Sequence, residues 1–119
     1  MAHPAPPSPL LHIATAADWE EAQARGRYEP ASLASEGFVH CSWPAQIAGV
    51  AARFFRGQPG LVLLVIDAER VRCPIRHENL EGGDGLFPHV YGALELDAVI
   101  EVRRLRTDPD GAVVLPCDF

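Results

Sequence analysis

The sequence has little of what would tie it to a membrane, a secretory route or a nucleic acid. Its longest apolar run, Leu61 to Ile66, is six residues, against the roughly 20 that a helix needs to span a bilayer. No basic segment leading into an apolar stretch opens the chain, so no secretory signal is read there. Positive charge is not in excess, since the formal net charge is -6 at pH 7. That balance excludes a protein that coats nucleic acid, because binding many phosphates demands a basic face. It leaves room for one small nucleotide held by a few local groups. Cysteine is scarce as well. Cys41, Cys73 and Cys117 are odd in number and lack the spacing of a metal site, which points to reduced thiols in a cytoplasmic protein. There is no internal repeat, and 119 residues suit one domain around one core.

What is present reads as an α+β domain. Residues 1–9 hold four prolines and almost nothing that could pack, so a disordered leader is expected before a single domain over 10–119. Leu10 to Ile13 is a short first strand. Thr15 with Asp18 three residues on has the form of a capping box, opening a helix from Asp18 to Arg25 that Gly26 ends. Arg27 to Ser35 is read as irregular, anchored by Tyr28 and Leu33. Ile47, Val50, Ala51, Phe54 and Phe55 recur at helical spacing and predict a second helix, stopped by Gly57, Pro59 and Gly60. Leu61 to Ile66, rich in branched residues, predicts a strand buried on both faces. An edge strand with a proline in it, Arg72 to Glu78, follows. Asp97 to Arg106 is a further strand, joined by the Thr107–Gly111 turn to a short strand from Ala112 to Leu115. The expected total is two helices and five or six strands.

Two short stretches concentrate the chemistry. In Gly37-Phe38-Val39-His40-Cys41-Ser42, His40 and Ser42 sit two apart, so in extended backbone both side chains share one side. Ser42 is read as the cap of the helix that follows, with Pro44 in its first turn. Gly85 to Gly92 repeats the idea with His89 and Tyr91, and the two stretches are expected to face each other across a cleft. Glu81 to Gly85, just before, is glycine-rich but lacks the spacing and the lysine of a phosphate-binding loop, so a lid or plain linker is the better reading.

The combination of Leu10-Leu11-His12-Ile13-Ala14, Glu36 to Ser42 with Gln46, Leu61 to Asp67, a glutamate, and Phe87-Pro88-His89-Val90-Tyr91-Gly92 resembles the bacterial domain of unknown function family 952, over about residues 10 to 105. The resemblance implies a fold similar to the ADP-ribosyltransferases, with a split antiparallel or mixed β-sheet, two main helices and a cleft for a nicotinamide dinucleotide. Its motif positions here include His12, Gly37, Phe38, His40, Ser42, Gln46, Glu78, Phe87, Pro88, His89, Tyr91 and Gly92. In the related transferases a first-strand histidine grips a ribose, an aromatic ring stacks on nicotinamide and a glutamate stabilises the sugar cation. By that resemblance His12, Tyr91 and Glu78 are candidates for those roles. Where many relatives carry threonine after the serine, this chain has Trp43, which leaves Ser42 the one hydroxyl there.

The candidate site is therefore Glu78 and His40 as catalytic residues, with His12, Ser42, Gln46, His89 and Tyr91 as ligand contacts. Imidazole titrates near neutrality and both donates and accepts, which suits His40 to acid–base work. A carboxylate at Glu78 suits the stabilisation of an oxocarbenium-like charge. Each has a plainer reading: His40 holding a carbonyl, Ser42 a cap, His12 a satisfied core residue, Glu78 a solvated partner of Arg76 or His77. Cys41 alternates away from His40 and is read as packed rather than nucleophilic. The expected ligand is nucleotide-like, of NAD or ADP-ribose type, with a silent binding module as the rival. A metal enzyme using His40, His89 and Glu78 is the weaker alternative. These ligands lack tight pairing at i, i+2 or i, i+4, so no metal is expected.

Overall fold

The computed structural model describes residues 9–80 and 85–116. Residues 1–8 of the expected leader, Glu81 to Asp84 of the glycine-rich loop, and Cys117 lie outside the described residues. The order of elements is β1 (Leu10–Thr15), α1 (Ala16–Arg25), β2 (Arg27–Tyr28), α2 (Ala31–Glu36), β3 (Val39–His40), α3 (Ile47–Phe54), β4 (Leu61–Ile66), β5 (Ile75–Glu78), β6 (Phe87–Val90), β7 (Leu94–Glu95), β8 (Val99–Arg104), β9 (Arg106–Thr107) and β10 (Val113–Val114). Short 3-10 turns at Ala68–Arg70 and Leu96–Ala98 precede β5 and β8. Every strand pairing among the described residues is antiparallel, and the domain is α+β.

Local chemistry explains the elements that periodicity picked out. The Thr15 hydroxyl accepts from the Asp18 amide, and Gly26 closes α1 in the left-handed region at φ 89°. Both ends of that helix thus satisfy amides or carbonyls the helix itself leaves open. In β4 all six residues are buried, so the continuous apolar run is a central strand with both faces covered. Asp108 turns the chain before β10 by accepting from the Asp110 and Ala112 amides.

The main sheet, ordered β1-β4-β8, carries two cores, one on each face. Leu10, Ala14, Val62, Leu64 and Ile66 face a cluster with Ala22, Tyr28, Val39, Cys41, Val90 and Leu94. Leu11, Ile13, Leu61, Leu63 and Val65 face the other way, onto Ile47 and Ala51 of α3 and onto Leu105. The strand period of two sorts the residues of one strand between the two clusters. Fully burying each such side chain contributes about 1.5–3 kcal/mol.

Four expectations are corrected. The Arg27–Ser35 stretch is ordered: β2 pairs with β7, and α2 follows, capped at its start by Pro30 and burying none of its residues. A six-residue helix without an apolar face or a side-chain cap sends no periodic signal. Ser42 does not cap α3. Its backbone instead exchanges both hydrogen bonds with Leu11, at 2.8 and 2.7 Å. A turn over residues 44–46 intervenes, and the helix begins after Gln46, whose side-chain oxygen accepts from the Trp43 amide at 3.0 Å. The two polar stretches do not face one another across a cleft. They are neighbours in one sheet, ordered β3-β6-β5, with His40 opposite His89. The strand foreseen from Arg72 runs only from Ile75, immediately after Pro74.

Candidate functional site

β3 is the hinge of the molecule. Val39 and His40 pair with β6, and two residues later Ser42 bonds to β1. One extended segment thereby stitches the second sheet to the first and brings His12 of β1 beneath the His40 backbone. The His12 ring is held at both nitrogens. Its Nδ1 lies 2.6 Å from the His40 carbonyl oxygen and its Nε2 2.7 Å from the Tyr28 hydroxyl. A carbonyl only accepts, so Nδ1–H donates to it, and Tyr28 then donates to Nε2. Desolvation lowers the His12 pKa to about 4, opposed by the bond to the His40 carbonyl. His12 keeps some surface toward a cleft, yet both nitrogens are bonded inside, so it behaves as an enclosed neutral ring. Burial pushes the Tyr28 phenol upward, in agreement with its role as donor.

On one face of the second sheet, polar side chains line up across three strands. His40 Nδ1 lies 3.0 Å from His89 Nε2, and His89 Nδ1 lies 3.1 Å from Glu78 Oε1. The Tyr91 hydroxyl donates to the same Glu78 oxygen. Since a carboxylate only accepts, His89 donates from Nδ1. With His89 neutral, its Nε2 then accepts the Nδ1–H of His40. His89 is 1% exposed and Phe38 stacks on it, ring centres 4.1 Å apart at 15°. The Arg76 guanidinium lies 4.7 Å from the Tyr91 ring centre. The bond from Tyr91, assisted by His89, lowers the Glu78 pKa, and the same bond raises that of Tyr91.

A cleft of about 260 Å³ opens where β1, α1, α2 and α3 meet. His12, Tyr28, His40 and Ser42 line it, with Thr15 and Asp18 at the start of α1 and Ile47, Val50 and Phe55 on the α3 side. Of the candidate residues, then, His12, His40 and Ser42 share this cleft. His89, Tyr91 and Glu78 are not among its lining residues and form the bonded series leading away from His40. Gln46 stands apart from both groups: its amide donates to the Leu86 carbonyl at 2.8 Å and clamps the segment before β6 against the turn before α3. Trp43 stacks on His77, ring centres 5.8 Å apart at 9°. Tyr28 and Asp18 do not stand among the expected site residues, and Phe38 stands there only as a position of the family motif. Tyr28 was recognised only as an anchor, and Asp18 only as a capping partner.

As for chemistry, burial raises the Cys41 thiol to about 12, so it stays protonated and packed. Cys73 is likewise unpaired, its thiol donating to the Ala93 carbonyl at 3.4 Å. His40, His89 and Glu78 are bonded to one another in sequence rather than converging on one point. Among the described residues no group of three or more potential ligands could hold a metal ion. No helix among them is long and apolar enough to cross a membrane.

The chain matches the family described as "Protein of unknown function (DUF952)" over residues 13–102. It is similar to the crystal structure of protein CC0527 from Caulobacter crescentus, with 37% identity, a TM-score of 0.82, and 90% of this chain and 94% of that chain covered. The solution NMR structure of CC0527 is similar at a TM-score of 0.75, also at 37% identity, covering 87% of this chain and 90% of that one. No curated protein matches the chain.

Proposed function

We propose, for a chain that belongs to the DUF952 family of proteins of unknown function, that the cleft binds a nucleotide-like small molecule of NAD or ADP-ribose type and that His40 is its acid–base group. One observation carries this reading: His40 both lines the cleft and heads the bonded series to His89, Glu78 and Tyr91. With Nδ1–H given to His89, the buried Nε2 is the basic nitrogen of His40. The buried ring behind it and the carboxylate behind that ring stabilise the imidazolium formed when His40 takes a proton, the logic of an oriented base.

In a glycosyl transfer the bond from the sugar carbon to the ring nitrogen breaks, and the ring leaves with the electron pair. Water or an acceptor hydroxyl adds to the sugar carbon and gives its proton to His40. In this reading Glu78 acts through His89 rather than on the sugar cation, because it stands outside the cleft. His12 fixes the His40 backbone and presents an uncharged wall. Ser42, in the same cleft, offers a hydroxyl, and Tyr91 holds Glu78. The unpaired Cys41 and Cys73 support placement in a reducing, cytoplasmic compartment.

Thermal melts with NAD and ADP-ribose, together with an NAD glycohydrolysis assay, test the proposal. Ligand at about a hundred times its dissociation constant is expected to add roughly 2.7 kcal/mol of stability. His40→Ala is expected to abolish hydrolysis while the domain still melts cooperatively. A ligand-induced shift without hydrolysis by the parent chain would make the cleft a silent binding module, and no shift with either nucleotide at millimolar concentration would overturn the reading altogether.

A further inference from the structure

We infer that the cleft selects its ligand by charge, admitting an uncharged or cationic ring-and-sugar head and refusing a phosphate or a carboxylate. The inference rests on the reading of the cleft as a ligand site and adds the class of group that enters it. All ten basic residues of the chain are arginines, and none lines the cleft. Among the described residues the one carboxylate in the wall is Asp18, close enough to act electrostatically on both His12 and Tyr28. Among the described residues no hydrogen bond or ion pair engages that carboxylate.

The rest of the lining offers an anion no arginine in exchange for its water, and the hydroxyls of Thr15, Ser32 and Ser42 serve an uncharged sugar equally well. His12 is neutral with both nitrogens taken, and Tyr28 spends its proton on His12. The positive ends of α1 and α3, which reach the lining at Asp18 and Ile47, are the features that could favour an anion. On α1 two of the opening amides are already used, Ala16 N–H donating to the Gly60 carbonyl and Asp18 N–H to Thr15, and α3 presents the apolar side chains of Ile47 and Val50. The Asp18 charge also sits on the first turn of α1. An entering phosphate would lose hydration, find no cation and meet a carboxylate, the costly combination for a charge. A cationic aromatic ring would gain the Asp18 charge and the Phe55 ring face. A volume of about 260 Å³ lies below the usual range for drug-sized ligands, so it suits one ring and its sugar while the phosphates of a dinucleotide stay outside.

Three molecules of nearly one shape test the inference: 1-methylnicotinamide (cation), nicotinamide (neutral) and nicotinate (anion). Each is titrated into the full chain at neutral pH and followed by NMR shifts. The cation and the neutral ring are expected to bind, with nicotinate weaker than the cation by about tenfold or more, the scale of one charge a few ångströms away in partly wet surroundings. Asp18→Asn is expected to bring the cation down to the neutral ring, whereas Asp18→Glu keeps the preference, so a fold defect and a charge effect separate. If nicotinate binds as well as the cation, selection by charge is overturned while the cleft remains a ligand site. If none of the three binds, the reading of the cleft falls, and the inference with it.

Discussion

The two three-stranded sheets use their faces differently. The β1-β4-β8 sheet covers both faces of its central strand with apolar side chains, and apart from His12 it places no titratable group inside. The β3-β6-β5 sheet gives one face to the core, through Val39 and Val90, and spends the other on His40, His89, Glu78 and Tyr91. The contrast separates two tasks. A strand with two apolar faces can only be packed against. A sheet with one face given to polar side chains can hold a series whose members fix each other's protons. The segment through Ser42 joins the two, so the packed sheet positions the polar one.

The largest expected effect breaks the first sheet. Leu64→Ala in the middle of β4 should lower stability by about 3–5 kcal/mol, as measured by urea denaturation, since a fully buried leucine leaves a cavity that its core is slow to fill. Tyr91→Phe on the second sheet should change the unfolding midpoint far less. Equal losses at the two positions would mean that the second sheet is as much a part of the packed core as the first.

Acid sharpens the comparison, because His12 is the one titratable ring on the apolar sheet. Its folded pKa is about 4 against about 6.5 when unfolded, so the folded state resists the proton that the unfolded chain accepts. Above about pH 6.5 the ring contributes no pH dependence. As pH falls from there toward 4, stability should drop by up to about 3 kcal/mol and then level off for this group. Glu78, whose pKa is lowered by Tyr91 and His89, adds its own loss only below the ordinary carboxylate range. Urea unfolding at a series of pH values checks this: in His12→Gln the slope between pH 6.5 and 4 should flatten, and an unchanged slope would remove His12 as its source.

Glu78→Gln probes the polar series by itself. It should reduce turnover about a hundredfold, the low end for acid–base assistance, with little change in ligand affinity. Both quantities can be read from the hydrolysis rate at saturation and the ligand-induced shift in melting. An affinity loss as large as the rate loss would place Glu78 in contact with ligand instead. The smallest effect belongs to a local feature far from either contrast: Thr15→Ala should cost about 1 kcal/mol in thermal unfolding, the worth of one helix cap.

What could be read directly were features whose cause is local. β4 announces itself because six successive apolar residues have few other uses. α1 does so because Thr15, Asp18 and Gly26 solve the hydrogen-bonding problem of its two ends, and α3 because Ile47, Val50 and Ala51 share one helical face. The residue types of the site were also legible, since His40 with Ser42 and His89 with Tyr91 stand out as polar pairs amid apolar neighbours. α2 escaped because six residues with no buried face leave no pattern, and the Ser42 cap failed because its backbone had a partner 31 positions earlier, in Leu11.

Composition and periodicity by themselves determined the α+β character, the central strand, two of the helices and the polar pairs His40–Ser42 and His89–Tyr91, each of them a consequence of neighbours within a turn or two of chain. Only the tertiary structure decided that His40 lies against His89 rather than across a cleft from it, that Glu78 reaches both His89 and Tyr91 from an edge strand, and that His12 is locked neutral between Tyr28 and a backbone carbonyl. Those outcomes depend on strand register, and register is chosen by which apolar faces must be buried together over separations of 11 to 49 residues. No local preference encodes that choice.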